Sequence, residues 1–210
     1  VVDVMGGKKL FFSKFEDRNE SVKLYHMKKS YLFLAEGFED IEAIAVVDVL
    51  RRGGVDVETV AIGKDREVRS AHGVTVIADR TLESVERDGV ECLIFPGGMP
   101  GAQNLADCQP LREYMQRQYE EGCRIAAICA APALVVGRLE PGRELRLTCY
   151  PGFEKYLPEN FQCSGEGVVV DGKVITGKGP GFAVQFGLTV LAHLRSEETA
   201  REVAAGMLIA

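Results

Sequence analysis

Cys129 closes a short apolar run, Arg124-Ile125-Ala126-Ala127-Ile128, and is followed by Ala130-Ala131-Pro132. A cysteine at a point where a buried strand turns sharply into a helix sits on an elbow, aimed at the sheet's carboxyl edge and placed at a helix N-terminus. There the dipole and free N–H groups favour a thiolate. An ordinary thiol, with pKa about 8.5, is only a few per cent ionised near neutrality, so a fall of about two or three units makes it mostly thiolate. The small side chains of Ala126, Ala127, Ala130 and Ala131 permit the close packing such a turn needs. The other reading is a core cysteine at the end of a buried strand.

Glu42 is the second candidate. If 40–52 is helical, its neighbours on the same face are Ala45, Val46, Val49 and Leu50. A carboxyl on an apolar face is desolvated, which raises its pKa and keeps the proton on, so it can donate to a thiolate and serve as general acid or base. The alternative is an exposed first-turn carboxylate that complements the helix dipole alongside Glu39 and Asp40. Pro96-Gly97-Gly98 offers backbone that approaches a ligand closely, with N–H groups able to hold an oxyanion. A histidine base is hard to find: His26, His72 and His193 are the only three, and only His72, in the loop Ser70-Ala71-His72-Gly73, is a candidate to reach the site.

These groups need a scaffold that brings strand ends together. Apolar runs at 31–35, 55–62, 74–78, 92–95 and 124–128 read as strands, and 40–52, 111–121 and 130–139 as helices. Val168 to Ile175 reads as a hairpin turned by Asp171-Gly172, before two closing helices at 182–194 and 197–207. Strands alternating with helices imply βαβ units and a mainly parallel sheet, whose ligands sit beyond the carboxyl ends of the strands. Glu42, Gly97 and Cys129 each follow such an end. Lys178-Gly179-Pro180-Gly181 lacks P-loop spacing and no G-x-G-x-x-G follows the first strand, so a dinucleotide fold has no support.

The 210 residues carry 25 basic and 31 acidic side chains, a net charge of -6, and no basic stripe. That argues against nucleic acid as a partner. No apolar run approaches the roughly 18–20 residues a membrane span requires. The first 26 residues are charge-rich without a sustained period, and the text changes at Met27-Lys28-Lys29. They read as an arm, an appended extension or a misplaced start, and 27–210 as one domain. No signal peptide is evident, so a cytoplasmic location is expected. The six cysteines include no C-x-x-C pair and none lies at zinc-ligand spacing from a histidine, so no metal is expected and most read as reduced, small apolar side chains.

Together the motifs resemble the ThiJ/PfpI superfamily and, within it, the DJ-one subfamily. The resemblance runs from about Lys28 to the C-terminus. It rests on Ala35-Glu36-Gly37 with Glu39-Asp40-Ile41-Glu42, on Val47 to Gly54, on Phe95-Pro96-Gly97-Gly98 with Gly101 to Leu105, on Ala126 to Pro132, and on Gly179-Pro180-Gly181. It implies a flavodoxin-like three-layer sandwich, related to class I glutamine amidotransferase domains, that forms homodimers. It also implies Cys129 as the reactive elbow cysteine, Glu42 as its protonated partner, and Gly98 with Ala130 as backbone donors. One departure stands out: many members have a histidine between Cys149 and Pro151, where this chain has Tyr150, a poor base near neutrality. Peptidase activity is thereby disfavoured. Cys149 beside it is a candidate for oxidation or for pairing with Cys129.

The leading functional expectation, implied by the resemblance, is a cofactor-free glyoxalase or deglycase acting on a small aldehyde or ketoaldehyde such as methylglyoxal. The alternative is a redox-responsive stress protein or chaperone whose Cys129 is oxidised to a sulfinate. An amidase or peptidase is the third reading.

Overall fold

Four of the apolar runs, at 31–35, 55–62, 92–95 and 124–128, build the centre of the molecule. The computed structural model describes residues 28–209, so the arm expected at 1–26 lies outside the described residues. The strands are β1 (Lys29–Leu34), β2 (Val57–Ala61), β3 (Glu67–Arg69), β4 (Thr75–Ile77), β5 (Arg80–Thr81), β6 (Val90–Phe95), β7 (Arg124–Ile128), β8 (Leu145–Leu147), β9 (Phe161–Cys163), β10 (Val168–Asp171) and β11 (Val174–Gly177). The helices are α1 (Asp40–Arg52), α2 (Gly101–Asp107), α3 (Gln109–Glu120), α4 (Ala131–Leu134), α5 (Ala183–Leu194) and α6 (Glu197–Gly206).

Seven strands form the main sheet in the order β10-β11-β7-β6-β1-β2-β5. All its pairings are parallel except the β10–β11 hairpin, which turns at Asp171-Gly172 as expected. Because the central strands β1, β6 and β7 are covered on both faces, their side chains are apolar almost without interruption; Tyr31 to Leu34 and Cys92 to Phe95 are wholly or almost wholly buried. The crossover from β1 leads to β2 on one side, and that from β6 leads to β7 on the other. Right-handed crossovers running in opposite directions put α1 on one face and α2 with α3 on the other, giving the three layers. α1 packs against α5 on its face. The reversal falls between β1 and β6, the place beyond the strand ends where sheets of this kind bind their ligands.

Several expectations are corrected. The helix expected at 130–139 ends at Leu134 and gives way to a single tight turn over Val136–Arg138; β-branched Val135 and Val136 followed by Gly137 are poor helix formers. The strand expected at 74–78 is β4, which pairs with β3 in a separate hairpin outside the main sheet. β3, β5, α2 and the parallel pair β8–β9 are additions to the elements expected from the sequence. Among the described residues no helix is long and apolar enough to cross a membrane.

Candidate active site

Cys129 follows β7 and has φ = +67°. For a residue with a side chain this left-handed conformation is strained, and it persists only where the surroundings over-determine it. Two bonds do so: the Cys129 N–H donates to the Gly177 carbonyl at 2.9 Å, and the Tyr150 N–H donates to the Cys129 carbonyl at 2.8 Å. The turn is therefore clamped from β11 on one side and from the segment after β8 on the other. The residue is buried, with 8 % of its surface exposed.

Glu42 enters from the first turn of α1 and is completely buried. Glu39 caps that helix by accepting from the Glu42 N–H at 2.7 Å, and is itself buried. Glu42 Oε2 accepts from the Gly97 N–H at 2.8 Å, whereas Oε1 has no hydrogen-bond partner among the described residues. An exposed, dipole-compensating role for Glu42 is thus excluded, while Glu39 acts as a cap. Sequence reasoning missed Glu39's importance, although the Glu39-x-x-Glu42 spacing resembles a capping box.

Gly97 and Gly98 let the β6 loop come close. A methyl group on Gly97 would lie 2.6 Å from Cys129 Cβ, 2.9 Å from its Sγ and 2.7 Å from Glu42 Oε2. Gly98 has φ = +87°, and a methyl group there would lie 2.4 Å from the Glu39 nitrogen. The Gly97 amide, expected among the oxyanion donors, is engaged by Glu42 instead. The amides of Gly98 and Ala130 lie beside the Cys129 sulfur and favour its ionised form.

The protonation states differ from expectation on one side of the pair. Burial raises the Glu42 carboxyl to about 7, opposed by the Gly97 amide and by Cys129 and reinforced by the charge of Glu39. Burial also pushes the Cys129 thiol up to about 12, and the Glu42 charge adds to it, against the pull of the Gly98 and Ala130 amides. The expected depression of the thiol pKa is absent. α4 has only four residues and so contributes little dipole, while desolvation and a neighbouring carboxylate both disfavour a thiolate. Of the two groups the carboxyl is therefore the first to ionise, and the sulfur keeps its proton near neutrality.

His72 is mostly exposed and pairs with Asp40 across 2.8 Å at the start of α1, making no hydrogen bond to Cys129. His193 bonds the Thr189 carbonyl within α5, and His26 lies outside the described residues. Tyr150 is half-exposed, its ring edge-on to Phe153 at 6.3 Å, and it holds the elbow through its backbone. Cys149 Sγ lies 3.6 Å from Cys163 Sγ, so its thiol neighbour is Cys163 rather than Cys129. Two groups of donors are close enough to hold a cation, Cys149 with Glu154 and Cys163, and Glu39 with Asp40 and His72; in each the donor atoms lie within 4.8 Å of one another.

Comparison with known proteins agrees with this picture. Protein DJ-1 homolog B of Arabidopsis thaliana is 35% identical over 182 residues, 87% of this chain and 42% of that protein; this chain spans less than half the length of the Arabidopsis relatives it matches. Protein dj-1beta of Drosophila melanogaster is 33% identical over 87% of this chain and 98% of its own. The Caenorhabditis elegans protein named glutathione-independent glyoxalase DJR-1.2 is 34% identical over 81% and 91%. Among solved structures, an oxidized Toxoplasma gondii DJ-1 superposes with a TM-score of 0.81 at 34% identity, covering 87% of this chain and 99% of that one. The overall fold thus recurs in the Toxoplasma protein, and since residues 28–193 match the model of the DJ-1/PfpI family, the chain belongs to that family.

Proposed function

We propose that this protein converts small reactive ketoaldehydes such as methylglyoxal to hydroxy acids, using Cys129 as nucleophile and Glu42 as the group that moves protons. The observation that carries the reading is a fully buried carboxyl with an apparent pKa of about 7, packed on the same glycine as the sulfur of a strained elbow cysteine. A general base works best when its pKa lies near the working pH. The similarity to a relative named a glutathione-independent glyoxalase supports the same chemistry.

In this reading ionised Glu42 takes the thiol proton as sulfur adds to the aldehyde carbon, and returns it to the aldehyde oxygen to give a hemithioacetal. The amides of Gly98 and Ala130 hold the oxygen charge as it develops. Glu42 then removes the hydrogen from C1 and passes that proton to the C2 oxygen, giving an enediol; the C1 hydroxyl next gives its proton to Glu42, which delivers it to C2, leaving a lactoyl thioester on Cys129. Water adds to the thioester carbonyl and the thiol leaves. One methylglyoxal and one water give one lactic acid, with no external oxidant or reductant. The reading requires no histidine, which accords with Tyr150 in the family's histidine position, and it requires no cofactor.

Lactate production from methylglyoxal tests it, with wild type beside Cys129→Ser and Glu42→Gln. Cys129→Ser is expected to lose turnover on the order of 10³-fold or more and Glu42→Gln about 10²-fold or more. Wild-type turnover no better than that of Cys129→Ser overturns the reading.

The unpartnered Glu42 Oε1 favours a second reading. When protonated it is a donor for an oxygen of a Cys129 sulfinate, which would make the same site a peroxide sensor.

A homodimer is proposed as well. Ile41 and Ile44 on the outer face of α1 and Val74 and Ile77 on the β3–β4 hairpin are large apolar side chains between 48 and 71 % exposed. Ile41, Ile44 and Val74 line one shallow depression with Phe38 and Val76, a surface suited to a second copy of the chain.

A further inference from the structure

We propose that Cys149 and Cys163 form a second peroxide-reactive centre, distinct from Cys129, whose product is an intramolecular disulfide. Their sulfurs are 3.6 Å apart, in van der Waals contact, although the two residues are 14 positions apart in the chain. The fold makes that contact: β8 and β9 run parallel with Leu147 opposite Cys163, and the Ser164 N–H donates to the Leu147 carbonyl at 2.7 Å, so Cys149 emerges directly beside Cys163. The two thiols differ in a useful way. Cys163 is exposed and open to a dissolved hydroperoxide, whereas Cys149 is buried against it. Glu154 lies within 4.8 Å of both sulfurs and is a proton acceptor for either thiol.

The chemistry balances with one equivalent of hydrogen peroxide. The Cys163 thiolate attacks one peroxide oxygen; the O–O bond breaks, water leaves after taking up a proton, and Cys163 becomes a sulfenic acid. The Cys149 sulfur then attacks the Cys163 sulfur, the S–O bond breaks, and the second water leaves with the Cys149 proton. Two thiols lose two hydrogens and two electrons, and peroxide becomes two waters. Sulfenic acids condense with a thiol within reach, and here that thiol is already in contact.

The product would close a loop carrying Tyr150, whose N–H holds the Cys129 carbonyl. The centre therefore sits on the segment that clamps the elbow from one side. It does not depend on the carbonyl chemistry proposed above, and the two can fail separately.

Trypsin separates the participants, placing Cys149 in the peptide Leu147–Lys155, Cys163 in Tyr156–Lys173 and Cys129 in Ile125–Arg138. Purified protein in chelator-containing buffer is treated with a small excess of hydrogen peroxide, blocked with iodoacetamide and mapped by mass. The expected result is a cross-linked Leu147–Lys155/Tyr156–Lys173 pair, two hydrogens lighter than the sum of the free peptides. It should be released by dithiothreitol, still form in Cys129→Ser and be absent from Cys163→Ser. Recovery of both peptides fully alkylated at a dose that oxidises Cys129, or a cross-link joining Cys149 to Cys129, overturns the proposal.

Discussion

Gly97 binds Glu42: its N–H donates to Glu42 Oε2 at 2.8 Å while its bare α-carbon leaves room for the Cys129 side chain on the same side. The glycine therefore sets how closely the Glu42 carboxyl and the Cys129 side chain approach each other. Gly97→Ala would place a methyl group inside van der Waals contact with both, at 2.6 Å from Cys129 Cβ and 2.7 Å from Glu42 Oε2. Neither neighbour is a flexible chain end, because the elbow is clamped and Glu42 is buried. The expected outcome is a folded protein destabilised by about 1–3 kcal/mol. Its methylglyoxal turnover should fall by on the order of 10²-fold, the usual consequence of displacing a reacting group by about 1 Å. Chemical denaturation and lactate assays on the one variant measure both.

Alkylation of Cys129 should report the ionisation of Glu42 beside it. The rate with iodoacetamide is expected to rise with pH through about 7, where the pair loses its first proton, and then to level off well below the thiol's own value of about 12. In Glu42→Gln the base is gone and the step near 7 should vanish. Cys129 then reacts only as a buried thiol, and at pH 7.5 the rate should drop by on the order of 10²-fold. Identical profiles in both proteins, each with an unshifted midpoint near 8.5, are incompatible with the coupled pair and with the proposed mechanism.

How far the residues alone lead can be judged from α1 and α4. The bounds of α1 are legible to the residue because its signals are local: acids in the first turn, Arg51 and Arg52 in the last, then Gly53-Gly54. α4 is not, because the apolar pattern of 130–139 continues past the point where Val135, Val136 and Gly137 stop a helix. β8 and β9 have three residues each, too few to show a period, so the proximity of Cys149 to Cys163 cannot be read before the fold is known. Among the site groups, the burial of Glu42 follows from its helical face. The sign of the Cys129 shift does not follow from its position at a helix start, because desolvation and the Glu42 charge, both tertiary effects, outweigh the dipole.

Glu42 should make stability depend on pH. Its carboxyl moves from an ordinary value of 4.5 to about 7 on folding. Below about pH 4.5 both states hold the proton and the group has no effect. Between 4.5 and 7 the unfolded chain releases it while the native state keeps it, so the unfolded state binds fewer protons and stability falls as pH rises. Above 7 the loss is complete and amounts to about 3 kcal/mol. Glu42→Gln removes the ionisation and keeps an acceptor for the Gly97 amide. The variant should therefore be more stable than wild type at pH 8 by about 1–3 kcal/mol and nearly equal at pH 4.5. Denaturant midpoints at the two pH values measure this; a variant less stable at pH 8 than at pH 4.5, relative to wild type, contradicts the burial of an ionisable Glu42.

The outer face of α1 offers the last test. Ile44 is 48 % exposed and Ile41 55 %, beside Val74 and Ile77 of the hairpin. In an isolated chain a charge at position 44 is close to neutral for folding, since surface substitutions usually change stability by less than about 0.5 kcal/mol. In a homodimer through this face Ile44→Asp appears twice across a two-fold axis, so that two carboxylates are desolvated and brought together. Sedimentation velocity of wild type should show a dimer at micromolar concentration, and Ile44→Asp a folded monomer with unchanged circular dichroism. Glu42 lies two residues from Ile44 on the inner side of the same helix, so loss of the partner is also expected to loosen the first turn and lower methylglyoxal turnover by a few fold. A variant that stays dimeric places the interface on another surface, and a wild type that sediments as a monomer removes the homodimer altogether.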